Sequence, residues 1–142
     1  MNIDKGKIQK RFSEINESVS EIQGLASLKD EEFWTDKKNL AALKYYLLQA
    51  IEAVGNICAH IAAKSYNRGV SSFGECFDIL EEKGILKDDL ASRLRNMVKF
   101  RNKLMHHYWD IDDKKVLEYV RKDINDFTDF IIIINNEFLD KQ

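Results

Sequence analysis

LAALKYYLLQAIEAVGNICAHIAAKSY, residues 40–66, places Leu40, Leu43, Leu47, Ile51, Val54, Cys58 and Ile61 at steps of three and four. Such steps return side chains to one stripe of an α-helix, whereas a half-buried strand would alternate. Thr35 or Asp36 can cap this helix, and Asn67-Arg68-Gly69 stops it near Tyr66. At ~1.5 Å per residue it is about 45 Å long. Gly55 lies inside it at a cost of up to ~1 kcal/mol. It either marks a kink or a close helix contact, or it is simply tolerated.

The same period extends outward. Ile8, Phe12, Ile15, Val19 and Ile22 form a stripe on a helix from about Ile3 to Gly24. Downstream, Ser71 or Ser72 can cap a short helix carrying Phe73, Phe77 and Leu80, closed by Gly84. Asp88 or Asp89 can cap a fourth helix from about Leu90 to Met105. Asp112 or Asp113 can cap a fifth, carrying Val116, Val120, Ile124, Phe127, Ile131, Ile134 and Phe138. The run IIII at 131–134 suits a strand locally, but it falls inside a longer helical period. No proline occurs and no glycine follows Gly84, which favours long helices over strands and turns. The expectation is a single all-α domain over 1–142. Its architecture is an antiparallel four-to-five-helix up-and-down bundle, with apolar stripes that leave room for a homodimer seam.

Composition narrows the class further. Of 142 residues, 44% are hydrophobic and 32% charged, a globular balance rather than a disordered one. The longest apolar run, Phe130 to Ile134, is far short of the ~20 residues of a membrane span. The start, MNIDKGKIQKRF, lacks the apolar stretch of a signal peptide, so a cytoplasmic protein without membrane attachment is expected. Cys58 and Cys76 read as separate small core residues. With three histidines, they show no zinc-type spacing, so neither metal nor cofactor is expected.

The formal net charge is −2, which argues against bulk attraction to nucleic acid. Residues 91–109, however, hold Arg93, Arg95, Lys99, Arg101 and Lys103 and no acid. That window is a positive island of +5 on a remainder of −7.

The island lies on the fourth helix. With Arg101 at zero on an ideal helix, Leu90, Leu94, Met97, Val98, Leu104 and Met105 all fall within about 60° of it. Arg101 thus stands in the middle of the apolar stripe. Asn102, Arg95, His106, Lys99 and Lys103 form a second, basic stripe at about 100° to 200°. A guanidinium on an apolar face is costly to dehydrate unless it is paired. Either it meets a carboxylate on another helix, or it faces a cleft or subunit boundary where it can grip a phosphate bidentately. His106 follows Asn102 by one helical turn and can hydrogen-bond it. At a helix C-terminus an imidazole is favoured in its charged form and is poised for proton transfer near neutrality. Its plain alternative is a surface or capping role, and on geometry His107 could equally be the acting ring. Tyr108 falls about 20° from Arg101, two turns later. Tyr108 and Trp109 otherwise read as boundary aromatics.

FRNKLMHHYWDID, residues 100–112, resembles the signature of the HepT-like HEPN ribonuclease toxins. That signature has an arginine, a polar neighbour, a histidine four to six positions on, and a tyrosine two beyond it. Arg101, Asn102, His106 and Tyr108 match those positions. HIAAKSY and the stretch from SSFGECFDILEEKGIL through DDLASRLRNMVKFRN extend the likeness, which covers about residues 40–130. Where the family often has a proline near residue 70, Val70-Ser71-Ser72 stands here, which touches the loop and not the chemistry. The resemblance implies a metal-independent endoribonuclease, the toxin of a toxin–antitoxin pair, acting on RNA as a homodimer through an Arg-x4-His motif at the dimer cleft. Arg101, His106 and Asn102 would be catalytic, and Arg95, Lys99, Lys103 and His107 would hold RNA. The implied partner is a minimal nucleotidyltransferase of the MntA type that attaches AMP to Tyr108. Two other readings stay open. One is a non-catalytic nucleotide- or substrate-binding subunit of a nucleotidyltransferase. The other is a helical dimerisation module, in which Arg101 would be carboxylate-paired and fully enclosed.

Overall fold

A computed structural model describes residues 3–140; the first two and last two residues of the expected 1–142 domain lie outside them. Among the described residues there are seven α-helices and no strand. They are α1 (Lys5–Ala26), α2 (Asp30–Thr35), α3 (Lys37–Tyr66), α4 (Phe73–Glu82), α5 (Asp88–His106), α6 (Asp113–Lys122) and α7 (Asn125–Ile134). A 3-10 turn over Tyr108–Asp110 and a π-helical turn over Asn135–Leu139 complete the chain.

The caps follow the chemistry of short polar side chains. Asp4 accepts from the Lys7 amide at the start of α1, and Asp36 accepts from that of Lys38 at the start of α3. Ser72 accepts from Glu75 to open α4, and Asp112 accepts from Lys114 and Lys115 to open α6. α3 ends on Asn67 with φ 55°, and the turn after α4 passes through Gly84 with φ 75°, where a glycine meets no Cβ penalty. α5 begins two residues earlier than its apolar stripe indicates. Lys87 stands at its cap without a side-chain bond, while Asp88 and Asp89 occupy the first turn, where the exposed amides favour negative charge.

α1 packs chiefly on α3, and their stripes interlock through Ile8, Ile15, Ile22, Leu43, Leu47 and Ile51. Phe77 and Leu80 of α4, Leu94 of α5, and Phe127 and Phe130 of α7 close the same core.

The structure departs from the expected helix count at two places. α2 is too short to show a period; buried Phe33 anchors it, and acids fill its first turn. The expected fifth helix is divided at Asp123, which caps α6 by donating its amide to Tyr119. The break turns Asp126 inward, where it is only 4% exposed and accepts from Arg93 Nε at 2.8 Å and from the Tyr119 hydroxyl at 3.3 Å. After the break Phe130, rather than Ile131, enters the core. Burial pushes the Asp126 carboxyl above its ordinary range, and the Arg93 guanidinium opposes that. The Tyr119 phenol is pushed up by burial and by Asp126.

Cys58 and Cys76, far apart in sequence, meet across α3 and α4. Both are free and buried, and the Cys76 thiol donates to Ser72 O at 3.5 Å. Burial raises the Cys58 thiol, whereas the Cys58 side chain lowers that of Cys76. No helix among the described residues is long and apolar enough to cross a membrane.

Candidate active site

α5 buries Leu90, Ala91, Leu94, Met97 and Val98, and then its stripe leaves the core. Leu104 is half-buried and Met105 is 49% exposed. Arg101 stands where the stripe emerges, with 24% of its side chain exposed. Three groups surround its guanidinium. Nε donates to Glu52 Oε1 of α3 at 2.6 Å, and Nη1 donates to Asn102 Oδ1 at 2.9 Å. The Phe73 ring of α4 lies with its centroid 5.3 Å from Cζ. No hydrogen bond engages Nη2 among the described residues. Arg101 is therefore carboxylate-paired, as the dimerisation-module reading requires, but it is not enclosed.

The acid-free window of α5 is supplied with acids by other helices. Arg93 pairs with Asp126 of α7 at 2.8 Å. Arg95 pairs with Asp78 and Glu81 of α4 at 3.0 and 2.9 Å. Donating to these carboxylates raises both guanidiniums above their ordinary value. The basic stripe is therefore not uniform: Arg95 is committed to α4, whereas Lys99 and Lys103 form no ion pair among the described residues.

His106 is the last residue of α5 and is exposed. Asn102 spends its oxygen on Arg101 rather than on His106. His107 ends the helix by donating its amide to Lys103 O at 2.6 Å, and its ring sits edge-to-face with Trp109 at 5.5 Å. The helix does not run on to Tyr108, so the projection of about 20° from Arg101 does not describe its position. Tyr108 opens the 3-10 turn, 66% exposed, with its ring 5.4 Å from that of Trp109. Within one chain Arg101 and Asn102 are joined, while His106 and Tyr108 follow at the open end of the same helix. Among the described residues no group of three or more His, Cys, Asp or Glu could hold a metal ion.

Two residues of note escaped the sequence reading. Glu52 carried a signal, being the only acid between Asp36 and Glu75. His60 carried none: its Nε2 accepts from the Asp4 amide at 3.0 Å, across 56 positions of sequence. An open cleft of about 340 Å³ beside Glu52 is lined by Arg11, Glu14, Tyr45, Gln49 and Asn56.

The fold and site define an all-α domain whose exposed helix end carries arginine, asparagine, histidine and tyrosine in that order. The chain belongs to the HepT-like ribonuclease family, described as "Ribonuclease HepT-like", which matches residues 15–134. It is similar in structure to a tri-AMPylated HEPN toxin of Shewanella oneidensis solved in complex with MNT antitoxin. The TM-score is 0.86 at 25% identity, over 96% of this chain and 100% of that one. A toxin–antitoxin solved with AMP-PNP matches with TM-score 0.82 at 24% identity, over 94% and 99% of the two chains. The cytosolic protein of unknown function YutE from Bacillus subtilis matches at 0.79 and 17%, over 96% and 94%. At these last two identities the likeness concerns the fold. No curated protein matches the sequence.

Proposed function

We propose that this chain is the toxin of a toxin–antitoxin pair, an endoribonuclease that cleaves RNA without a metal ion. The observation that carries the reading is the state of Arg101. Its guanidinium is tethered through Nε and Nη1 and seated on Phe73, yet at the edge of the core no hydrogen bond among the described residues engages Nη2. A planar donor held on two sides and open on the third suits a phosphate oxygen.

RNA carries its own nucleophile, the 2′-hydroxyl. His106 takes the proton from that hydroxyl, or gives one to the departing 5′-oxygen. In a homodimer two histidines divide these roles across the subunit boundary. Arg101 stabilises the charge that builds on the phosphorane-like transition state, and Asn102 fixes the arginine. The P–O bond to the 5′-oxygen breaks as the 2′-oxygen bonds phosphorus, leaving a 2′,3′-cyclic phosphate. Lys99 and Lys103 hold the RNA backbone, with Arg95 and His107 at the margins.

The solved relatives with an MNT antitoxin and with AMP-PNP support a nucleotidyltransferase as the partner. The exposed Tyr108 hydroxyl attacks the α-phosphorus of ATP, loses its proton and releases pyrophosphate. The bulky, anionic AMP then stands at the end of α5 and obstructs RNA. The test is incubation of the purified protein with RNA in excess chelator. Cleavage leaving 2′,3′-cyclic ends is expected; intact RNA, or ends of another kind, overturns the reading.

A further inference from the structure

We propose that Phe73 and Gly55 form a seat that positions Arg101 for RNA cleavage, with Phe73 the positioning residue and Gly55 the opening that admits its ring. The inference rests on reading Arg101 as the phosphate-binding arginine of a ribonuclease.

Gly55 is buried in the middle of α3, where glycine is a weaker helix former than alanine. A Cβ at that position would lie 2.3 to 2.5 Å from three atoms of the Phe73 ring, closer than real contacts allow. The ring therefore rests on the helix backbone where the side chain is missing. Phe73 is the first residue of α4, and its approach is fixed locally. Ser72 Oγ accepts from the Glu75 amide, while the Glu75 carboxylate accepts from the Ser71 amide at 3.2 Å and hydroxyl at 2.7 Å. The guanidinium of Arg101 then lies over the ring, 5.3 Å from its centroid. Glu52, three residues before Gly55, accepts the hydrogen bond from Nε. α3 thus supplies both the floor beneath the aromatic ring and the anion that tethers the arginine. α4 supplies the ring, and α5 supplies the cation.

A ring that served only as core filling would be replaced by leucine with little effect on cleavage. A seat would not, because leucine keeps the bulk and loses the π-face. Phe73→Leu is expected to lower kcat about tenfold with KM little changed, and Phe73→Tyr to restore it. In an Arg101→Lys background Phe73→Leu is expected to add no further loss. A readout independent of cleavage is the NMR signal of the Arg101 side chain. Ring-current displacement of its methylene and Nε protons is expected in the wild type and in Phe73→Tyr, and is expected to vanish in Phe73→Leu. Gly55→Ala should remove the same displacement; if that variant fails to fold, the Phe73 pair still decides. Absence of the displacement in the wild type overturns the seat. Its presence with undiminished kcat in Phe73→Leu overturns the positioning role. A wild-type protein that shows the displacement but cleaves no RNA overturns the ribonuclease reading, and the inference falls with it.

Discussion

Arg101 reaches from α5 to α3 and donates through Nε to Glu52 Oε1 at 2.6 Å. Both side chains are partly exposed, so the pair adds on the order of 1 kcal/mol or less to stability. Its consequence is directional: it fixes which edge of the guanidinium points outward. Glu52→Gln keeps the shape and removes the charge. It is expected to leave the melting temperature within a few degrees of wild type and to lower kcat for RNA cleavage several-fold. Unchanged cleavage kinetics would show that Arg101 orients without Glu52.

The two kinds of cation on α5 should separate in a salt titration. Lys99 and Lys103 have no carboxylate partner among the described residues and are free to neutralise phosphates. Lys99→Gln and Lys103→Gln are each expected to reduce the slope of log K against log salt by about one for a 2′-deoxy oligonucleotide. Arg95 is held by Asp78 and Glu81. Arg95→Gln is expected to lower the denaturation midpoint while changing the slope less than either lysine. A full unit of slope lost at Arg95 would place it on the RNA.

Tyr108 is the accessible hydroxyl next to the histidines. Tyr108→Phe is expected to retain cleavage in vitro and toxicity in cells, and to take up no AMP from ATP and the partner nucleotidyltransferase, read as the mass increment of the intact protein. AMP incorporation into the phenylalanine variant would move the modification elsewhere.

The helices were legible where they depend on local period and short polar caps. Ile8 to Ile22 and Leu40 to Ile61 face the core as their spacing indicates, and one residue of each of three candidate pairs, Asp36, Ser72 and Asp112, makes the cap. Features set by tertiary partners were not legible. The expected fifth helix breaks at Asp123, and the inward Asp126 just beyond the break is met by Arg93 from another helix, 33 positions away in sequence. The acid-free window looked uniformly basic, yet acids from α3, α4 and α7 reach three of its arginines. The open alternatives at Gly55 resolve to a close contact, since the aromatic ring against it comes from the next helix. Ideal-helix angles also misplaced Tyr108, because the helix ends at His106 and a 3-10 turn redirects the chain from Tyr108 onward.

His60 gives the fold a pH dependence of known sign. Burial, and then the cations of Lys7 and Lys64, hold its imidazole below the ordinary value of 6.5, with Asp4 opposing. The unfolded chain therefore binds the proton more readily than the folded one. The contribution is present above pH 6.5 and is lost as pH falls below it toward the folded value. Protonation also removes the acceptor for the Asp4 amide. Urea midpoints should fall between pH 7 and pH 5.5, and less steeply in His60→Gln. Parallel profiles for the two proteins would exclude this role.

The proposed mechanism has Arg101 and His106 act on the same scissile phosphate. Single-turnover cleavage in chelator by the wild type, Arg101→Ala, His106→Ala and the double variant tests this directly. Each single variant is expected to lose about 10²- to 10³-fold in rate. The double variant is expected to lose little more than either, because groups acting as one unit are not additive. Wild-type rates in either single variant, or a total loss in His107→Ala with His106→Ala unaffected, would contradict the account.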